Sequence, residues 1–102
     1  MKVETKQIER SLFIEAREWF DKINGNSYFS ARIWVDGKEV SALPFQYGYG
    51  DHYLNIAQQK LVELGYLSEA LNNRGLWSIG KDSGFDFYTT KSITAKREMY
   101  HA

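Results

Sequence analysis

Residues 28–65 read YFSARIWVDGKEVSALPFQYGYGDHYLNIAQQKLVELG, an unbroken succession of hairpin, elbow and helix. From Tyr28 to Val35 the side chains alternate, as a strand with one buried face requires. Phe29, Ala31, Ile33 and Val35 share one side; Tyr28, Ser30, Arg32 and Trp34 share the other. Asp36-Gly37 is a pair that tolerates positive φ at both central positions of a type I′ turn. A two-residue loop sets Ile33 opposite Val40, Ala31 opposite Ala42 and Trp34 opposite Glu39, so the apolar sides of both arms coincide. Pro44 has no N–H for a ladder and therefore marks a strand end or an edge. After the elbow Gln46-Tyr47-Gly48-Tyr49-Gly50, Asp51 is placed to cap a helix and Gly65 to end it. Tyr53, Leu54, Ala57, Leu61 and Leu64 fall on one helical stripe opposite Asn55, Gln59 and Glu63, directed at the Phe29/Ile33/Val40 face.

On the N-terminal side, residues 5–23 fit a first helix with Ile8, Leu12, Phe13, Ala16, Trp19, Phe20 and Ile23 as its stripe and Asn24-Gly25-Asn26 as its stop. Arg17–Asp21 and Glu18–Lys22 are then i,i+4 pairs on its wet side. Beyond Gly65, residues 68–73 suit a short helical turn and Leu76–Ile79 a short strand or a packed loop. Residues 84–90 alternate Phe85/Phe87/Thr89 against Asp86/Tyr88/Thr90 and form a third strand; residues 93–102 read as a fraying strand end or a short helix. The expected fold is α+β: one domain over residues 1–102, with a three-stranded antiparallel sheet and two helices on one face, in the order α-β-β-α-(irregular)-β. Its other face carries Tyr28, Arg32, Trp34, Glu39, Ser41, Leu43 and Phe45. That face is a binding surface, a homodimer interface, or the floor beneath residues 68–84.

Composition narrows the function. The chain is 16% aromatic, with three Trp, seven Tyr and six Phe, more than one small core needs. Formal net charge is zero, with 13 basic and 13 acidic residues, which speaks against an acidic DNA mimic and against a wholly basic nucleic-acid binder. Absence of cysteine excludes a disulfide scaffold, a thiolate metal site and a thiol nucleophile. The N-terminal MKVETKQIERS lacks the apolar core of a signal peptide and no run is long enough to span a membrane, so the expectation is a cytoplasmic protein with no membrane association.

Chemistry-bearing patterns are sparse. His52 beside Asp51 reads as a surface histidine next to a capping aspartate, since neighbours in a helix point different ways. No His-x-His or Glu-x-x-His occurs, and Gly48-Tyr49-Gly50 lacks the third glycine of a phosphate loop. The expectation is therefore no catalytic residue, no metal and no cofactor. Tyrosines on a glycine-rich elbow serve as a corner or as a contact with a partner. The candidate protein-binding residues are Tyr28, Arg32, Trp34, Glu39, Tyr47 and Tyr49, because aromatic and arginine side chains dominate interface hot spots. The alternative, a nucleic-acid contact, uses exposed aromatics with Lys91, Lys96 and Arg97 of the basic tail.

Two resemblances bear on the choice. SARIWVDGKEV followed by GYGDHYLNIAQQKLVELG is similar in layout to the later part of double-stranded-RNA-binding domains, which clamp phosphates with lysines where this chain has Asp51 and His52. NSYFSARIWVDGKEVSALPFQYGYGDHYLNIAQQKL and the closing TAKREMY resemble small early proteins of tailed bacteriophages. The second resemblance implies a non-structural protein in the cytoplasm of an infected bacterium. There it would bind and inhibit or modulate a host or defence protein complex, in the manner of anti-CRISPR proteins.

Overall fold

The computed structural model describes residues 7–71 and 74–96. The order is β1 (Ser11–Asp21), β2 (Asn26–Val35), β3 (Lys38–Tyr47), α1 (His52–Glu63), a 3-10 turn (Glu69–Leu71), α2 (Leu76–Ser83) and β4 (Asp86–Ile93). The strands form one mixed four-stranded sheet in the order β3-β2-β1-β4. β1 pairs antiparallel with β2 and parallel with β4. The three-stranded antiparallel sheet and the α-β-β-α-(irregular)-β order are thus overturned.

The decisive difference is residues 11–21, a central strand rather than a helix. SLFIEAREWFD satisfies both periods. Leu12, Phe13, Ala16 and Trp19 lie on one helical stripe, yet Leu12, Ile14 and Ala16 also alternate with Phe13, Glu15, Arg17 and Trp19. Pairing settles it, because β1 offers ladder bonds on both edges and buries Leu12 and Ile14 completely. In the strand, the expected helical pairs of Arg17 and Glu18 do not form. Glu18 instead meets Lys91 of β4 at 3.5 Å, with both side chains largely buried. Asp21 forms a turn with the loop, its carboxylate accepting bonds from the Ile23 and Asn24 backbone and from Asn24 Nδ2.

The β2–β3 hairpin has the expected turn. Asp36 has φ of 52° and Gly37 of 84°. Trp34 lies opposite Glu39, but Val40 is an extra residue in β3, so Ile33 faces Ser41 and Ala31 faces Leu43. The slip carries Leu43 from the expected outer face into the core and puts Ser41 on the core side as well. A second irregularity at Pro44-Phe45 returns Phe45 and Tyr47 outward. Pro44 sits on the edge strand, where no neighbour needs its missing N–H. Because Gly37 needs positive φ and its Cβ direction is open, Gly37→Val is expected to cost about 1 kcal/mol or more through backbone strain alone. An unchanged urea midpoint would contradict that.

Asp36 also ties the turn to β1. Its carboxylate accepts backbone N–H bonds from Glu9 (3.1 Å), Arg10 (2.6 Å) and Ser11 (3.0 Å), and its own N–H donates to Ser11 O at 2.9 Å. The bonds from Ser11 and Arg10 are the main reason its pKa lies below the ordinary aspartate value. A depressed native pKa adds stability above the unfolded-state pKa, and that contribution disappears as pH falls through the native one. Asp36→Asn should therefore lower Tm at neutral pH, with the gap to wild type closing in acid. Thermal melts from pH 7 downward check this; a gap that is constant with pH would contradict it.

The core lies on one face of the sheet. Leu12, Ile14, Ala16, Phe29, Ala31, Ile33, Val35, Leu43 and Phe87 meet Tyr53, Ala57 and Leu61 of α1 and Leu76 and Ile79 of α2. The expected α1 stripe is confirmed in Tyr53, Ala57 and Leu61. Asp51 precedes α1 but makes no side-chain cap bond. The helix ends with Gly65 N bonded to Val62 O and Tyr66 N to Leu61 O, which occupies its last carbonyls. Gln58, buried beside this stripe, donates to Leu71 O (3.0 Å) and Arg74 O (2.7 Å) and holds the 3-10 segment to α1. Leu76–Ile79, expected as a strand or loop, starts α2, whose Trp77 packs edge-on against Phe87 at 4.6 Å. Both helices occupy the same side of the sheet, and residues 74–83 lie there too. The outer face is therefore not the floor beneath the described residues of the 68–84 segment.

Candidate functional site

The outer face of the sheet is the most distinctive surface. The strand registers place its side chains in rows. Glu39, Trp34, Phe13 and Tyr88 cross one end, followed by Ala42, Arg32, Glu15 and Thr90. Ser30, Arg17 and Ser92 come next, and Tyr47, Tyr28 and Trp19 close the other end. Aromatic rows thus flank a charged centre. Among the described residues, no helix packs on this face.

At the lower end, the rings are organised. Trp19 stacks on Tyr28 with centroids 5.6 Å apart, and Tyr28 on Phe45 at 5.0 Å with planes 10° apart. Tyr47 meets Tyr28 edge-on at 5.9 Å and is 62% exposed. At the upper end, Trp34 is half-buried and Tyr88 is 55% exposed. The Trp34 indole Nε1 is buried without a hydrogen-bond partner. A buried unpaired donor costs on the order of 1–3 kcal/mol. Trp34→Phe, which keeps a ring and removes the donor, should then leave Tm unchanged or raise it; a clear fall in Tm would contradict this.

The charges of the face are mixed. Arg32 and Glu39 form an exposed ion pair at 3.6 Å, Glu15 lies opposite Arg32, and Arg17 follows one row below. An exposed pair of this kind adds little stability, about 0–1 kcal/mol, but it gives the face an orientation-dependent polar pattern. Sheet pairing thus brings Tyr28, Arg32, Trp34, Glu39 and Tyr47 onto one surface, as expected from the sequence. Tyr49, 73% exposed, stands apart on the elbow, where Tyr47, Gly48, Gly50, Asp51, His52 and Asn55 share a hollow of about 430 Å³ with it. Gly48 is required there by close approach, since a Cβ would lie 2.7 Å from the buried Phe29 ring and 2.7 Å from the His52 ring. Phe13, Trp19 and Tyr88 belong to the face but were not in the candidate set. For Phe13 and Trp19 the helical reading hid them; period-two alternation in residues 11–21 was the signal available.

Comparison with known proteins assigns no family. No protein-family model matches the chain, and neither a curated protein nor a solved structure matches it. The site must be judged on its own chemistry.

The two described basic residues of the nucleic-acid alternative, Lys91 and Lys96, lie apart. Lys91 belongs to the core-facing row, where it pairs with Glu18 and donates to Gly50 O at 3.0 Å. Lys96 lies over Trp19 and Phe45 on the outer face. Arg97 is outside the described residues. Asp51 and His52 open α1, and His52 sits edge-on to Phe29 with centroids 6.0 Å apart. Among the described residues, no group of three or more His, Asp or Glu side chains is placed to hold a metal ion. No described helix is long and apolar enough to cross a membrane.

Proposed function

We propose that the chain is a non-enzymatic protein-binding module that engages its partner through the outer sheet face. The observation that carries this reading is the outer face itself, on which no described helix packs, aromatic at both ends and charge-balanced between them. Tyrosine, tryptophan and arginine are the side chains that dominate interface hot spots, and the face offers Arg32 between Trp34 and Tyr28. Arg17 and Arg32 are set against Glu15 and Glu39, so no continuous positive track for phosphates is present on the strands of this face. That balance favours a protein partner over nucleic acid. The similarity to early proteins of tailed bacteriophages supports a host or defence complex as the partner, inhibited or modulated in the host cytoplasm.

The test is capture from bacterial lysate by the tagged protein, with Arg32→Ala/Tyr47→Ala as the comparison. The reading predicts a protein retained by wild type, lost by the double variant and indifferent to nuclease. Retention of the same protein by both forms overturns it. Capture that nuclease abolishes, with affinity falling steeply as salt rises, replaces it with the nucleic-acid alternative.

A further inference from the structure

We propose that the Trp19–Tyr28–Phe45 corner is a binding site for an alkylammonium group, and that Lys96 occupies it in the free chain. Lys96 Nζ lies 5.2 Å from the centre of the Trp19 ring and 5.9 Å from that of Phe45. A cation within about 6 Å of an aromatic face is attracted by the negative quadrupole of the ring. Here two rings share one ammonium; their centroids are 6.1 Å apart, and the Tyr28 ring stacks on both, at 5.6 Å from Trp19 and 5.0 Å from Phe45. Asp21 follows two residues beyond Trp19 on the same side of β1, with its carboxylate held by Ile23 and Asn24 of the loop. The negative faces of the rings select a cation over a phosphate or a carboxylate.

Lys96 is exposed and follows the last strand, so it holds the site without being built into the core. Its contact is of the weak, solvent-exposed class, on the order of a two- to fivefold effect in an equilibrium constant. A lysine or methylated-lysine side chain of a protein partner can therefore displace it. This last step rests on the partner reading above; the ammonium site itself does not.

The experiment is a titration of ¹⁵N-labelled wild type and Lys96→Ala with tetramethylammonium chloride, against sodium chloride at equal ionic strength. The Trp19 indole and the Tyr28 and Phe45 amides report. The site predicts saturable shifts there in Lys96→Ala, with half-saturation about two- to fivefold lower than in wild type. Trp19→Leu in the Lys96→Ala background should abolish them, and Phe45→Leu serves if that variant does not fold. Absent shifts in Lys96→Ala, equal shifts with sodium chloride, or shifts that survive loss of the ring overturn the proposal. No partner is present in this titration, so its failure leaves the lysate result standing, and failure of the lysate test leaves the titration readable.

Discussion

Ile33→Ala is expected to cost roughly 2–5 kcal/mol of folding stability. Ile33 is completely buried, lies between Ser41 of β3 and Ile14 of β1, and belongs to the cluster that receives Ala57 and Leu61 of α1. Truncation removes the transfer free energy of the lost carbons and leaves a void between two strands that are both fixed by ladders, so collapse is limited. A domain of this size has a total stability of about 5–15 kcal/mol, so the variant should be partly unfolded or melt far earlier. Urea denaturation with tryptophan fluorescence measures it. A loss below about 1 kcal/mol would mean that this side of β2 is not the core.

The second large effect is on binding. Arg32→Ala/Tyr47→Ala should weaken partner affinity by about 2 kcal/mol or more, roughly 30-fold, while Tm changes little. Tyr47 is exposed on the edge strand and touches Tyr28 edge-on; Arg32 forms an exposed pair with Glu39. Surface substitutions of this kind usually alter stability by about 0.5 kcal/mol or less. Affinity for a captured partner, measured by titration calorimetry beside a melting curve, separates the two quantities. If both fall together, the substitution has damaged the fold; if neither falls, Arg32 and Tyr47 lie outside the interface.

Much of the hairpin and α1 could be read in residues 28–65, because local chemistry dictates them. Asp36-Gly37 admits only a narrow set of turns, and Tyr53, Ala57 and Leu61 repeat at helical spacing. The bulge at Val40 could not be read, since nothing in KEVSALPF separates regular pairing from one extra residue. Its consequence was the burial of Leu43 and Ser41's place on the core side. The largest misreading, β1, has a different cause. SLFIEAREWFD supports both helix and strand locally, and the choice depends on β4, whose pairing partner is more than sixty residues distant in the chain. Once β1 is a strand, Phe13 and Trp19 join Tyr28 and Trp34 on one surface. The outer face was thus recognised from the hairpin of β2 and β3, with Ser41 and Leu43 misassigned to it, and its extension over β1 and β4 required the tertiary pairing.

The most direct measurement is site-specific photo-crosslinking in bacterial lysate. A photoreactive residue is placed at Tyr47 or Tyr88 on the outer face, and at Gln59 or Glu63 on the exposed side of α1. The account predicts a common protein adduct from the two outer-face positions and none from the helix positions. An adduct formed from Gln59 or Glu63, with none from Tyr47 and Tyr88, would contradict it.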